Sequence, residues 1–520
     1  VHVRLRAHIN SWPAERAALA ALCTVALIWV AYVVSHFWWR FGGDPEIHII
    51  FARNFLEGHF LEFNPGYKSG GETSPLYMII VAAGYRLLGA YVPYGMKALA
   101  YLSFATICYL LLESNEMAPP WRRWSFVLLA ACMPFFVFQA SLGMENMLFA
   151  AAVVAIVHIR CRTADPRVVL GLPAVVPVLF FLRPEAVFIA LWLGCLAAAE
   201  RRIAAVMSVI VSVGVTYALY VALNRYTGVE THNAGLIRAY LSTLSSVRIP
   251  LAGHDVFVST KVLVGMSYAL PFLAYAGFNY RALSSRDILT LGTLFFVPAG
   301  LHFFDVLPNI QFSRYFLFEY GVLLYVFASR FLATISSRAL VGIWLVTASI
   351  GVAEVHSRAG DGVTVSDSIR ETSPQAVKAY SDALFAALHP GAVPVSIASQ
   401  EVELRARVDA RFIVWSLDGI TDYRLGNHLQ SGYIDHFGYI RDRNIEFVQG
   451  LEDYNRDKHK PSLNVFQPTA AHTPTPCIEG LRLEPTTVDK IFRVIRCGSP
   501  APLIRSGGGS RSLRQRDAAR

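Results

Sequence analysis

Apolar residues fall in long runs as far as Ala353, and from His356 onward they alternate with polar ones as in a water-facing protein. A helix needs about 20 apolar residues to cross a bilayer. By that measure the runs predict spans over 17–39, 94–112, 124–142, 146–160, 168–182, 185–199, 203–223, 261–278, 288–304, 315–333 and 339–354, the shorter ones extending into their flanks. The run from Pro75 to Val92 differs, because it meets Gly89 after about 14 residues, or about 21 Å of helix, short of a hydrocarbon core of about 30 Å. Arg86 also lies inside it. Beyond 356 the pattern predicts a helix from Pro374 to Leu388 stopped by Pro390-Gly391, strands over 393–397, 412–415 and 445–448, and a helix over 433–441. The expected fold is an α-helical polytopic membrane protein of about eleven spans (1–356) with an outer loop over 40–93. A small extracytoplasmic α/β domain (357–500) and a disordered Gly-, Ser- and Arg-rich tail (501–520) follow.

Composition agrees with this division. Charged residues make up 16% of the 520 positions and hydrophobic ones 54%, whereas a soluble domain carries about 25% charge. The net charge of +9 could suggest nucleic acid, but there is no zinc spacing, P-loop or Rossmann glycine pattern. The arginines sort by topology instead. With the N-terminus inside and 75–92 not counted as a span, the cytoplasmic segments hold Arg4, Arg6 and Arg16; Arg122 and Arg123; Arg160, Arg162 and Arg167; Arg201 and Arg202; Arg281 and Arg286; Arg330 and Arg338. Counting 75–92 as a span would move all but the first group outside, against the positive-inside rule. The segment therefore reads as a juxtamembrane or re-entrant helix. Residues 17–39 lack a small-residue cleavage site and read as an anchor, which gives a multi-pass protein of a bacterial cytoplasmic membrane with its C-terminal domain outside.

The same topology gathers the polar residues of the membrane part on the outer face and leaves the spans clean. The first loop carries Asp44, Glu46, His48, Arg53, Glu57, His59, Glu62, Asn64, Lys68 and Glu72. A tight turn, Gly143-Met144-Glu145-Asn146, and the charged step Arg183-Pro184-Glu185 follow. Later loops hold His232, Asn233, His254 and Asp255, then His302, Asp305, Asn309, Gln311 and Arg314. Ionisable groups at membrane depth are costly and usually functional, so their convergence predicts a shared outward cavity. Each cluster also has a plainer reading. Asp44-Pro45 is a strong helix start and Gly58 a helix stop, with Ile47, Ile50, Phe51 and Phe55 forming the apolar stripe of an interfacial helix. Arg183 and Glu185 could be a structural ion pair, Glu145 a helix-start charge, and the histidines interfacial rather than metal ligands.

Taken in order, these segments resemble GT-C-type membrane glycosyltransferases. The resemblance lies in Asp44-Pro-Glu-Ile-His48, Phe51-Ala-Arg-Asn-Phe-Leu-Glu-Gly-His59, Phe63-Asn-Pro-Gly66 and Thr73-Ser-Pro-Leu-Tyr77. It continues in Gly143-Met-Glu-Asn146, Arg183-Pro-Glu185 and Arg314-Tyr315. It is nearest to the bacterial branch that includes arabinofuranosyltransferases of the mycobacterial cell wall, and covers about residues 1–360. Trp415 to Asp422 also looks like a stretch of that branch. The resemblance implies transfer of a sugar from a polyprenyl-phosphate donor to an acceptor hydroxyl on a glycan, lipid or protein, at the outer face and with inversion. It also implies a first-loop acid as base. Position 43 is Gly where many members carry a second acid, so the pattern is Asp44-x-Glu46, and the base is Asp44 alone or with Glu46.

The residue chemistry fits that implication. A carboxylate takes the proton of an attacking hydroxyl, and arginines such as Arg183 and Arg314, with Tyr315, meet the leaving phosphate. His48, Arg53, Glu145 and Glu185 are the expected supports of the site. No metal ligands are assigned and no cofactor is required by the pattern, a divalent metal being left open. Membrane lipids and the lipid-linked donor are the expected partners. A lipid-linked-glycan flippase or other transporter, or a non-enzymatic envelope assembly protein, is the alternative; a transporter would show internal repeats and charges within its spans. Of the seven cysteines only Cys477 and Cys497 fall in the outer domain, where an oxidising exterior permits them to pair, the other reading being two buried thiols.

Overall fold

The computed structural model describes residues 2–41, 44–69, 71–131, 133–228, 246–251, 254–259, 266–303, 316–357, 363–390, 393–399, 404–417, 425, 428–430, 433–449, 477–479, 481–488 and 490–497. The chain is mostly helical as far as Ser357. Its first helices are α1 (His2–Phe37), α2 (Asp44–Leu56), α3 (Pro75–Leu88), α4 (Val92–Glu113), α5 (Pro120–Ala131), α6 (Pro134–Leu142) and α7 (Glu145–Arg162). Then come α8 (Pro166–Gly171), α9 (Val176–Phe180), α10 (Val187–Ala199) and α11 (Ile203–Thr227). Further helices cover Leu270–Phe278, Ser285–Leu291, Val297–Phe303, Leu317–Phe331 and Ser337–Ser357.

Among the described residues three helical segments are long and apolar enough to cross a membrane: Ala20–Phe37, Pro75–Glu113 and Ile203–Thr227. A fourth joins them if the bent pair Pro120–Ala131 and Phe136–Leu142 counts as one. The expected count of about eleven therefore exceeds what these helices show. The expected span 168–182 is broken into α8, a 3₁₀ turn at Leu172–Val175 and α9. Pro173 and Pro177 remove two backbone donors there and crowd the preceding turns. The segment 75–92 also departs from expectation. Its helix does stop at Gly89, which has a φ of 56°, but a single 3₁₀ turn, Gly89–Tyr91, leads straight into α4, and Pro75–Glu113 runs as one 39-residue helical segment.

α7 is the central helix, packing against α4 on one side and the Leu317–Phe331 helix on the other. Gly321 permits that second approach: a Cβ there would lie 2.8 Å from the Val154 side chain. Around α7 the core joins Met147, Phe149, Val154 and Val157 to Phe318, Val322, Leu324 and Phe327.

Short strands stitch the loops. β1 (Arg40–Phe41) leads into α2, and β2 (Glu62–Asn64) pairs with β3 (Tyr67–Lys68) in the first loop. β4 (Ser246–Leu251) and β5 (His254–Ser259) form a hairpin. β6 (Val363–Thr364) returns to pair antiparallel with β1. After it come helices Val365–Glu371 and Pro374–Leu388, β7 (Val395–Ser399), helix Leu404–Arg407 and β8 (Phe412–Ser416). β9 (Leu429–Gln430), β10 (Tyr433–Ile434), helix His436–Asp442, β11 (Phe447–Gln449), β12 (Leu481–Pro485) and β13 (Ile491–Arg496) complete the chain. Five of these strands make one sheet in the order β12-β13-β11-β7-β8, parallel from β11 through β7 to β8 and antiparallel at β13 and β12. Alternate side chains serve opposite faces. Val395, Ile397, Phe412 and Val414 pack on Leu384 and Leu388, while Ala398, Trp415 and Val448 pack on Phe437 and Ile440. Cys477 and Cys497 are joined in a disulfide, with their Cα atoms 6.3 Å apart.

Candidate functional site

α2 is not the surface-lying helix its stripe suggested. Ile47, Ile50 and Phe51 are buried as expected, but Glu46, His48, Ala52 and Asn54 are buried on its other faces. The polar members are there because each has a built partner, as buried polar groups require. The Asn54 amide donates to the carbonyls of Glu62 (2.8 Å) and Phe63 (2.9 Å), closing the first loop onto its own helix. Glu46 accepts from the Ser368 hydroxyl at 2.7 Å. Two further ties join this loop to the C-terminal sheet. Asn64 donates to the Val414 carbonyl (2.8 Å) and accepts from the Val414 amide (3.0 Å), standing in for a strand at the edge of β8. Tyr67 meets Trp415 edge-on, with ring centroids 5.1 Å apart.

His48 is the inward-facing residue of α2. Its Nδ1 is 2.9 Å from Glu72 Oε2 and its Nε2 is 3.1 Å from Glu145 Oε2. Glu72 is fixed in turn by the Ser74 backbone N–H, which donates to Oε1 at 2.8 Å. Burial works against charge on this imidazole, but Glu72 and Glu145 outweigh it and push the His48 pKa up to about 10. Both ring nitrogens then carry protons and donate. Tyr77 stacks edge-on against the ring and donates its hydroxyl to the Gly143 carbonyl at 2.7 Å.

Glu145 begins α7 directly after the tight turn, and its second oxygen takes an N–H of Arg183 at 2.8 Å. Arg183 also donates to Asn146, and through Nε (3.1 Å) and Nη2 to Glu185. The result is one buried chain of charge, Glu72–His48–Glu145–Arg183–Glu185. The three groups of residues that stood out in the sequence meet in it, through one contact across 97 positions and one across 38. Arg183, expected to receive a donor phosphate, spends its guanidinium on three acceptors here and acts as the hub of the chain.

Other expected site residues are not seen in this chain of contacts. Asp44 opens α2, and its side chain lies outside the described residues, as do Arg314 and Tyr315. Arg53 is half-buried on α2 and has no ion pair among the described residues. No group of three or more His, Cys, Asp or Glu among the described residues is arranged to hold a metal. Residues 232, 233, 305, 309 and 311 lie outside the described residues.

Three buried charged residues were missing from the expected site, and one of them, Glu72, is a link of the chain. Glu72 was one of many polar residues in its loop, and only its place just before the Ser74-Pro75 helix start marked it. Glu319 lies in the middle of an apolar run. It is wholly buried, 3.7 Å from His302, with neither carboxylate oxygen hydrogen-bonded among the described residues. Lys97 is likewise wholly buried inside α4. The spans are therefore not clean, and that contrast with transporters does not hold.

No family model and no curated protein matches the chain. In overall structure it is similar to ArnT from Cupriavidus metallidurans bound to undecaprenyl phosphate, with a TM-score of 0.46, 11% identity, and 85% of this chain and 97% of that chain covered. The apo state of that protein gives a TM-score of 0.46 and 12% identity over 77% and 87% of the two chains. The Archaeoglobus fulgidus oligosaccharyltransferase tethered with an acceptor peptide containing the NVT sequon gives 0.45 and 12% over 83% and 69%.

Proposed function

We propose that the chain is a membrane glycosyltransferase of GT-C type that moves a sugar from a polyprenyl-phosphate donor to an acceptor hydroxyl at the outer face of a bacterial cytoplasmic membrane. The observation that carries this reading is the buried chain from Glu72 to Glu185. It unites the first-loop Asp-x-Glu-x-His segment, the Gly-Met-Glu turn and the Arg-Pro-Glu step, which are the segments that bear the resemblance. A transferase of this kind needs a rigid polar frame beside a lipid-facing surface, and ionisable groups buried at this depth persist only when they are paired.

In the reaction the acceptor oxygen attacks the anomeric carbon, the bond from that carbon to the phosphate oxygen breaks, and the electron pair leaves with the polyprenyl phosphate. Asp44 takes the acceptor's proton. Glu46 is engaged by Ser368 and ties α2 to the C-terminal segment, which leaves Asp44 as the base of the pair. Arg183 orders the frame, and the leaving phosphate falls to Arg314 and Tyr315. His48, Glu145 and Glu185 hold the frame in place. Residues 1–356 form the catalytic membrane domain, and 357–500 an outer domain that supports the first loop.

An apolar surface supports a site for the donor's lipid tail. An apolar groove of about 420 Å³ between α10 and α11 is lined by Val187, Leu191, Gly194, Cys195, Val209 and Val213. Val187, the first residue of its lining, follows Glu185 by two positions in the sequence.

Purified protein incubated with a set of polyprenyl-phosphate sugars and candidate acceptors tests the reading. Transfer with release of polyprenyl phosphate supports it. Movement of the lipid-linked sugar across a vesicle membrane without cleavage of its phosphate bond would establish the transporter reading instead, which the buried Glu319 favours.

A further inference from the structure

The buried charge chain leaves the buried Lys97 unused. Lys97 sits on the second turn of α4, wholly shielded from solvent. Its ammonium has three N–H bonds to donate, and three backbone carbonyls surround it: Arg40 at 2.6 Å, Phe37 at 3.4 Å, and Ser141. The face of Phe41 covers it at 5.8 Å. Two of these carbonyls belong to helix ends, Phe37 closing α1 and Ser141 lying in the last turn of α6, where carbonyls lack intrahelical partners and the helix dipole is negative. One lysine therefore bonds carbonyls at two helix ends and one in β1 at once.

The chain around that lysine leads to both partners of the His48–Glu145 bond. Arg40 and Phe41 lead into α2, which carries His48. Ser141 leads through Gly143 into α7, which starts with Glu145. The turn is gripped at several points. Tyr101, one helical turn beyond Lys97, is 2.6 Å from the Ser141 hydroxyl, and Tyr77 donates to the Gly143 carbonyl. Gly143 has a φ of 71° and lies so close to α4 that a Cβ there would stand 3.0 Å from the Lys97 backbone nitrogen.

We propose that Lys97 is a positioning residue. Its ammonium clamps the segment entering α2 to the turn entering α7, and so sets the spacing of His48 and Glu145. The proposal rests on the site reading above only for its relevance to transfer; the clamp itself is a statement about geometry.

The test therefore uses a readout that does not depend on transfer. In ¹⁵N-histidine-labelled full-length protein, the ring resonances of His48 are assigned by their loss in His48→Gln and followed against pH. Lys97→Met keeps the side-chain length and removes the three donors. The clamp predicts that His48 in this variant titrates at least about one unit lower than in the wild type, the scale of losing a close carboxylate contact. Gly143→Ala pushes the turn off Lys97 from the other side without touching the ammonium, shifts His48 in the same direction, and decides the matter if Lys97→Met does not fold. An unshifted His48 titration in folded Lys97→Met, or in Gly143→Ala, overturns the proposal. Absence of glycosyl transfer by the wild-type protein would overturn the functional reading and leave this result standing.

Discussion

His48 and Glu145 are 97 positions apart in the sequence and 3.1 Å apart in the fold. Glu145 stands between two cations, His48 on one oxygen and Arg183 on the other, and all three are buried. Removing one partner from a buried ion pair strands the others, at roughly 3–5 kcal/mol. Glu185 and Glu72 still compensate Arg183 and His48, so Glu145→Gln is expected at the low end of that range in denaturant unfolding. Glu116→Gln is the control: Glu116 pairs with Arg162 at 2.9 Å but is 67% exposed, and such pairs contribute about 0–1 kcal/mol. Equal effects of the two substitutions would show that the buried chain does not hold the fold.

The pH dependence of stability follows from His48. Its pKa is raised from the ordinary 6.5 to about 10 in the folded protein, so the folded state binds the proton more tightly than the unfolded state. The stabilisation is complete below about pH 6.5 and disappears as pH rises through 10. Thermal melts should show a decline across that window that flattens in His48→Gln. A wild-type and a variant profile of the same slope would contradict the charged state of His48.

Asn64 holds the first loop to the C-terminal sheet. Asn64→Ala leaves the Val414 amide and carbonyl without their partner, a cost of about 1–3 kcal/mol. Hydrogen exchange should speed up at Phe412–Ser416 while peptides of α7 keep their protection. Unchanged exchange at β8 would remove Asn64 as the tie.

The groove between α10 and α11 contains a thiol, Cys195, that reports on occupancy. Polyprenyl phosphate should slow maleimide labelling of Cys195 in protein whose other free cysteines are replaced by serine. Labelling at the same rate with and without the lipid would place the tail elsewhere.

The sequence made local features legible and hid those that depend on distant partners. Asp44-Pro45 and Gly58 bracketed α2, Gly89 ended α3, and the Pro374–Leu388 helix has the expected bounds, because caps and breakers act within one turn of chain. The pairing of Cys477 with Cys497 was legible because they are the two cysteines of the C-terminal segment. The burial of Glu46 was not, because its partner Ser368 is 322 positions away. Lys97 and Glu319 were hidden for a related reason: one charge in an apolar run barely changes its hydropathy, and only the folded neighbours show why it is tolerated. Pro173 and Pro177 break the 168–182 run into shorter pieces, a local signal that its apolar length hid. The hairpin of β12 and β13 had no turn signal strong enough to mark it.

The central claim, that this is a transferase with Asp44 as its base, is tested most directly by one comparison. Wild-type protein and Asp44→Asn are assayed for release of polyprenyl phosphate from the donor that supports transfer. Asn caps a helix about as well as Asp, so the variant should insert and fold like the wild type. It cannot accept the hydroxyl proton, and its rate should fall by about 10²–10⁴-fold. A folded Asp44→Asn protein that releases polyprenyl phosphate at the wild-type rate would contradict the account.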